Sequence, residues 1–276
     1  KQNTLSHFGN RSGRTDRLLA EKENTVDAVI IGDSLVYTSV NPMRIYEKQG
    51  FTTFDIALSA QYLYESYNSI DKILQNQKPK IIFLETNQFF RKYKLVNVIG
   101  AEGKKIFPVF EYHNRWKDLS FDDLFKKAHY TLRDPFKGYR FMNKVNSAED
   151  AKKNYMYKKK DKKEITDLNY RYIKKIVEKC RENDIELILL STPSLKNCNY
   201  SKYQTIKDIA KEFNLEHIDL NLDNRLDIDW VTETVDKGDH LNYLGAYKVS
   251  DFLGEYLKSK NFIDHRHDEK YKEWQE

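Results

Sequence analysis

The chain alternates between short runs of consecutive apolar residues and longer stretches in which apolar side chains recur every three or four positions. The short runs are Val26 to Ile31, Thr53 to Leu58, Lys80 to Leu84, Glu186 to Leu190 and His217 to Leu220. Most are rich in Ile, Val, Leu and Phe, the composition of strands buried on both faces. The spacing predicts helices from Asn41-Pro42 to Gly50, over Tyr62 to Gln77, Ile165 to Asn183, Tyr203 to Phe213 and Tyr243 to Leu257. Asn41 is suited to cap, Pro42 to the first turn and Gly50 to the stop. Five strands separated by helices imply an α/β fold of three layers, α/β/α, with a parallel sheet and right-handed crossovers. The expected strand order is the flavodoxin-like 2-1-3-4-5.

Residues 88–164 are too many for a simple crossover between the third and fourth strands. They are expected to form a long insertion beside the active face, rich in aromatic residues such as Phe107, Phe110, Tyr112, Trp116 and Phe121. The remaining organisation reads as a polar lead-in or stalk over residues 1–25, one domain over 26–262, and a polar tail over 263–276.

The first strand runs into Gly32-Asp33-Ser34-Leu35. Gly32 is expected to permit a tight turn, which delivers Ser34 to the carboxyl edge of the sheet, where open α/β sheets bind ligands. A serine hydroxyl is a weak nucleophile unless a base takes its proton, and histidine titrates near working pH. His240 lies in Asp236-Lys237-Gly238-Asp239-His240-Leu241-Asn242, and either Asp236 or Asp239 can orient its ring. Asp236 is favoured, because adjacent side chains diverge and Gly238 allows the loop one extra residue; the other aspartate then caps the closing helix. The backbone N–H of Ser34 is one candidate donor to an oxyanion.

These segments resemble the SGNH/GDSL hydrolases. Gly32-Asp33-Ser34-Leu35 matches that family's first block, and Asp239 to Gly245 is similar to its last. The resemblance implies two further oxyanion groups. One is the backbone of Ala60 in Ser59-Ala60-Gln61, where the family has glycine. The other is the side chain of Asn87 in Glu85-Thr86-Asn87-Gln88, of which only the asparagine is retained. The family's acid precedes its histidine by three positions, which is Lys237 here. The stretch Phe110 to Trp116 and the run Asp236 to Ala246 also resemble a bacterial subgroup. Its members are cell-surface proteins that accompany membrane-bound O-acyltransferases and are similar to the D-alanyl transfer protein of the teichoic acid system. That resemblance implies a serine esterase or O-acyltransferase acting on an acylated glycan or envelope polymer. It also implies a membrane-bound O-acyltransferase as partner. His113, within the insertion, reads first as a packing partner of Trp116, and in the functional reading as a substrate contact from a cap over Ser34. The competing reading is a non-catalytic accessory protein on the same scaffold.

Composition narrows the field further. A formal net charge of +5 on 276 residues argues against a dedicated nucleic-acid binder. The cluster Lys158 to Lys163 reads as a solvated segment, or as a contact for an anionic surface. No set of His, Cys and carboxylate residues has metal-site spacing and no glycine-rich phosphate loop is present, so no metal and no cofactor is expected. Cys180 and Cys198 are either a bridge in an oxidising compartment or two free thiols. The chain starts at Lys1, which suggests a trimmed protein; the subgroup resemblance implies an extracellular or cell-surface location, with an upstream membrane anchor outside this sequence.

Overall fold

The computed structural model describes residues 13–94, 130–149 and 155–275. Five strands form one parallel sheet: β1 (Ala28–Gly32), β2 (Thr53–Ala57), β3 (Ile81–Glu85), β4 (Glu186–Ser191) and β5 (Glu216–Asp219). Their order is β2-β1-β3-β4-β5, the flavodoxin-like order expected above. β1, β2 and β3 are buried at every position. Alternate side chains serve opposite faces, because successive Cβ atoms in a strand point apart. Val29, Ile31, Ile82 and Leu84 join one core, and Ala28, Ile30, Ile81 and Phe83 join the other.

Helices cover both faces. The first core is closed by α4 (Leu63–Ile73), α5 (Asp167–Glu182) and α6 (Tyr200–Phe213), through Ile70, Ile176 and Ile206. The second is closed by α2 (Ser34–Ser39), α3 (Pro42–Gln49) and α7 (Tyr243–Ser259), through Val36, Ile45, Val249 and Leu253. The punctuation is local. Asn41 Oδ1 accepts the N–H of Arg44 at 3.1 Å, Pro42 opens α3, and Gly50 closes it at φ 74°. α6 begins at Tyr200, three residues before the predicted start, because Asn199 Oδ1 caps it through the N–H of Lys202 at 3.0 Å. α7 is capped by Asn242, whose Oδ1 accepts the N–H of Leu244 at 3.0 Å; neither Asp236 nor Asp239 takes that position.

The ends of the chain differ from expectation. Residues 13–25, read as part of a polar stalk, contain the short helix α1 (Gly13–Leu18), and Leu18 is fully buried in the first core. The polar tail is also packed: Trp274 is 2 % exposed and joins the same core. His265 stacks on Tyr271 with ring centroids 3.8 Å apart, and its Nε2 lies 3.1 Å from Asp27 Oδ2. Sparse apolar residues in a charged segment give no periodic signal, yet each can fill a gap in a core.

The described part of the insertion explains why both ends are held. Lys137 Nζ lies 3.0 Å from each Glu21 carboxylate oxygen, deeply buried, and 4.6 Å from the centroid of the Trp274 ring. Lys137 O accepts the N–H of Asp55 at 2.8 Å, covering the open edge of β2. Gly138, at φ +94°, permits that approach, since a Cβ there would meet Asp55 O at 2.1 Å. The segment then runs toward the His240 loop, where Asn146 donates to Thr234 O and accepts from Lys237 N, each at 3.0 Å. Cys180 and Cys198 are free thiols. His113 and the stretch Phe107 to Trp116 lie outside the described residues. Among the described residues no helix is long and apolar enough to cross a membrane.

Candidate active site

β1 delivers Ser34 as the first residue of α2, with Asp33 as its cap. Gly32 is essential to that junction for space rather than for a left-handed turn. A Cβ at Gly32 would lie 2.4 Å from Val36 Cγ2 and 2.6 Å from Glu85 Cβ.

His240 reaches Ser34 from a loop that closes on itself. Thr234 and Leu241 form an antiparallel bridge, and Thr234 Oγ1 donates to His240 O at 2.9 Å while accepting Gly238 N–H at 2.8 Å. Lys237 and Gly238 both have positive φ, 62° and 86°. This is the extra loop residue expected from the sequence. It brings Asp236, four positions before His240, onto the ring.

Ser34 Oγ lies 2.8 Å from His240 Nε2, and His240 Nδ1 lies 2.6 Å from Asp236 Oδ2. A carboxylate only accepts, so Nδ1 carries the proton and Nε2 is the acceptor for the Ser34 hydroxyl. Asp236 Oδ1 also accepts the backbone N–H of His240 at 2.7 Å. Asp239 lies apart from this chain of bonds. Its nearest carboxylate oxygen is 3.9 Å from His240 Nδ1 and accepts from Asn197 Nδ2. Of the two aspartates left open by the sequence, Asp236 is the one hydrogen-bonded to the imidazole.

The three oxyanion candidates sit after β1, β2 and β3 at the carboxyl edge. Among the described residues the N–H groups of Ser34 and Ala60 donate to no acceptor. Ala60 adopts φ 52°, the left-handed region that glycine occupies at no steric cost. Its loop is braced by buried glutamines: Gln61 Nε2 donates to Ser66 Oγ at 2.8 Å, and Ser66 Oγ donates to Gln88 Oε1 at 2.5 Å. Asn87 follows β3 and is half-buried. Its Nδ2 donates to Asp33 Oδ2 at 3.0 Å, and its Oδ1 accepts from Lys202 Nζ at 3.0 Å.

Several charged residues organise the site. Asp33 is 1 % exposed and accepts from Leu35 N at 2.9 Å, Asn87 Nδ2 at 3.0 Å and Arg91 at 2.8 Å. Glu85 is buried beneath it. Burial first, and the charge of Asp33 second, push its carboxyl well above the usual range. Burial lowers the Lys202 ammonium from its ordinary value, opposed by Glu85 and Asp33. Asp33 is marked by its place in Gly32-Asp33-Ser34-Leu35, whereas the sequence signal for Glu85 is a charged residue at the end of an otherwise apolar strand. Lys202 and Arg91 are indistinguishable in sequence from surface cations.

A cleft of about 260 Å3, counting its open mouth, adjoins Asn87 and is lined in part by Phe90, Met156, Cys198, Lys202 and Tyr203. Asp236, Asp239 and His240 offer ligand atoms within 4.8 Å of one another. In this arrangement the ring Nδ1–H is committed to Asp236, as an acid–imidazole pair requires. Chemically, the set comprises a hydroxyl with a base at hydrogen-bond distance, an acid behind the base, and N–H groups on the same sheet edge that have no acceptor among the described residues.

No protein-family model matches the chain, and no curated protein matches it. Comparison with solved structures returns GDSL-type lipases and esterases. A GDSL-like lipase from Bacteroides thetaiotaomicron is 11% identical, with 92% of this chain and 100% of that chain covered and a TM-score of 0.47. A psychrotrophic esterase from a Pseudoalteromonas species, solved with monoethylphosphonate as inhibitor, is 10% identical over 85% of this chain and 98% of that one, with a TM-score of 0.45. A lipase/acylhydrolase from Enterococcus faecalis is 10% identical over 85% and 97%, with a TM-score of 0.40.

Proposed function

We propose that this protein is a serine-dependent acyl-ester hydrolase or O-acyltransferase of the SGNH/GDSL type. The observation that carries the reading is the unbroken line from Ser34 Oγ to His240 Nε2 at 2.8 Å and from His240 Nδ1 to Asp236 at 2.6 Å. Ser34 Oγ attacks the ester carbonyl as its proton passes to Nε2. Asp236 stabilises the imidazolium and keeps the ring in the reactive tautomer. The N–H groups of Ser34 and Ala60 and the amide of Asn87 hold the tetrahedral oxyanion. Collapse expels the alcohol, which takes the proton from His240, and leaves the acyl group on Ser34. Water, or a hydroxyl of an acceptor, then attacks with His240 again as base.

The resemblance of residues 110–116 and 236–246 to the acyltransferase-associated subgroup supports an acylated glycan or teichoic-acid-type polymer as substrate. It supports a location outside the cell membrane and a membrane-bound O-acyltransferase as partner. The rival reading, a non-catalytic accessory protein, predicts a dismantled nucleophile–base pair; the Ser34–His240 distance favours chemistry.

The test is turnover of an activated acetyl ester with and without an acetyl-accepting glycan, followed by release of acetate and by mass of the glycan. Turnover abolished by Ser34→Ala supports the reading, and the product states whether water or the glycan receives the acyl group. Wild-type turnover no faster than that of Ser34→Ala contradicts it.

A further inference from the structure

We propose that Lys202, on α6, is a positioning residue for the oxyanion, acting through the side-chain amide of Asn87. This rests on the esterase reading above and adds to it a group that no motif marks.

The two ends of the Asn87 amide meet opposite charges. Nδ2 faces the Asp33 carboxylate at 3.0 Å and Oδ1 faces the Lys202 ammonium at 3.0 Å. Asparagine oxygen and nitrogen are interchangeable in shape, so the hydrogen-bond partners decide the orientation. Here both partners agree. The reverse flip would set NH2 against an ammonium and C=O against a carboxylate. Only one orientation satisfies both ends, and it leaves one Nδ2 hydrogen free of the Asp33 bond. Asp33 precedes Ser34 directly, so this bond ties the amide to the residue next to the reacting serine.

Lys202 is itself fixed. Its Nζ also donates to Asn197 O at 2.6 Å, and its N–H is held by Asn199 at 3.0 Å. Asn197 continues to Asp239 and Ser194, so the loop after β4 ties Lys202 to the loop that carries His240. An ammonium on the amide oxygen also polarises the C=O and strengthens the N–H donor at the other end. That gain grows as negative charge builds on the oxyanion, which places it in the transition state rather than in substrate binding.

The test is a double-mutant cycle on activated acetyl-ester hydrolysis with wild type, Lys202→Met, Asn87→Ala and the double variant. If Lys202 acts through Asn87, Lys202→Met lowers kcat about tenfold with KM nearly unchanged, and Asn87→Ala lowers it about a hundredfold. The double variant then matches Asn87→Ala, because the lysine has nothing left to orient. A tenfold loss that persists in the Asn87→Ala background overturns the assignment, since that is the pattern of a merely structural lysine. Unchanged kcat in Lys202→Met overturns it too. If Lys202→Met fails to fold, Lys202→Gln replaces it in the same cycle. A wild type without Ser34-dependent turnover overturns the esterase reading and this assignment together; a turning-over wild type with an additive cycle overturns this assignment alone.

Discussion

Asp236 holds His240 twice, with Oδ2 on the ring Nδ1 at 2.6 Å and Oδ1 on the backbone N–H at 2.7 Å. The carboxylate thus fixes both the tautomer and the position of the ring. Asp236→Asn puts an NH2 or a weaker acceptor at Nδ1 and should lower kcat for ester hydrolysis by roughly 1,000-fold or more. Asp239→Asn should change kcat less than about threefold, because its carboxylate serves Asn197. Steady-state kinetics of the two variants check this, and the reverse ranking would reassign the acid.

Gly32 and Glu85 meet where β1 passes β3. A Cβ at Gly32 would sit 2.6 Å from Glu85 Cβ and 2.4 Å from Val36 Cγ2, neither a flexible side-chain end. Gly32→Ala should therefore destabilise the fold by about 1–3 kcal/mol through overpacking, measured by chemical denaturation. A loss below about 0.5 kcal/mol, within the range of ordinary surface substitutions, would mean that the strands separate more easily than this packing implies.

Ala60 bears the opposite kind of strain. Its φ of 52° costs an alanine about 1–2 kcal/mol that a glycine avoids. Glycine gives back about 0.4–1 kcal/mol through the greater freedom of the unfolded chain. Ala60→Gly should leave stability equal or higher by up to about 1.6 kcal/mol, the net of those two terms, and retain ester turnover. A fall in melting temperature of several degrees would contradict the left-handed assignment.

His217 makes stability depend on pH. Burial lowers its imidazole from 6.5 to about 4, while Nε2 lies 2.9 Å from Ser191 Oγ. The unfolded chain takes up a proton below about 6.5 that the folded protein refuses until about 4. The contribution is full above pH 6.5 and is lost as pH falls toward 4. His217→Gln should flatten that part of the stability profile, measured by denaturant titration at several pH values. An unchanged slope would show that His217 ionises freely.

The strands were legible because a run such as Val29-Ile30-Ile31, buried on both sides, leaves little choice of structure. Ser34 and His240 were legible because each sits in a short block with its own local geometry. The choice between Asp236 and Asp239 was only half legible: it depends on two consecutive left-handed residues, Lys237 and Gly238, and only the glycine hints at one. Lys202 lies 115 positions from Asn87, and nothing in its local sequence distinguishes it from a solvated lysine. Leu18 and Trp274 escaped for a related reason, as single apolar residues in polar segments show their burial only once Lys137 and Glu21 draw the ends together.

The most direct test of the central claim is intact-mass labelling with a fluorophosphonate, alongside Ser34→Ala and His240→Ala. The hydrogen bond from Ser34 to His240 predicts one adduct per chain on the wild type, mapping to Ser34, absent from Ser34→Ala and slowed at least about 100-fold in His240→Ala. A wild type that takes no adduct, or equal labelling of the Ser34→Ala variant, would contradict an activated nucleophile at this site.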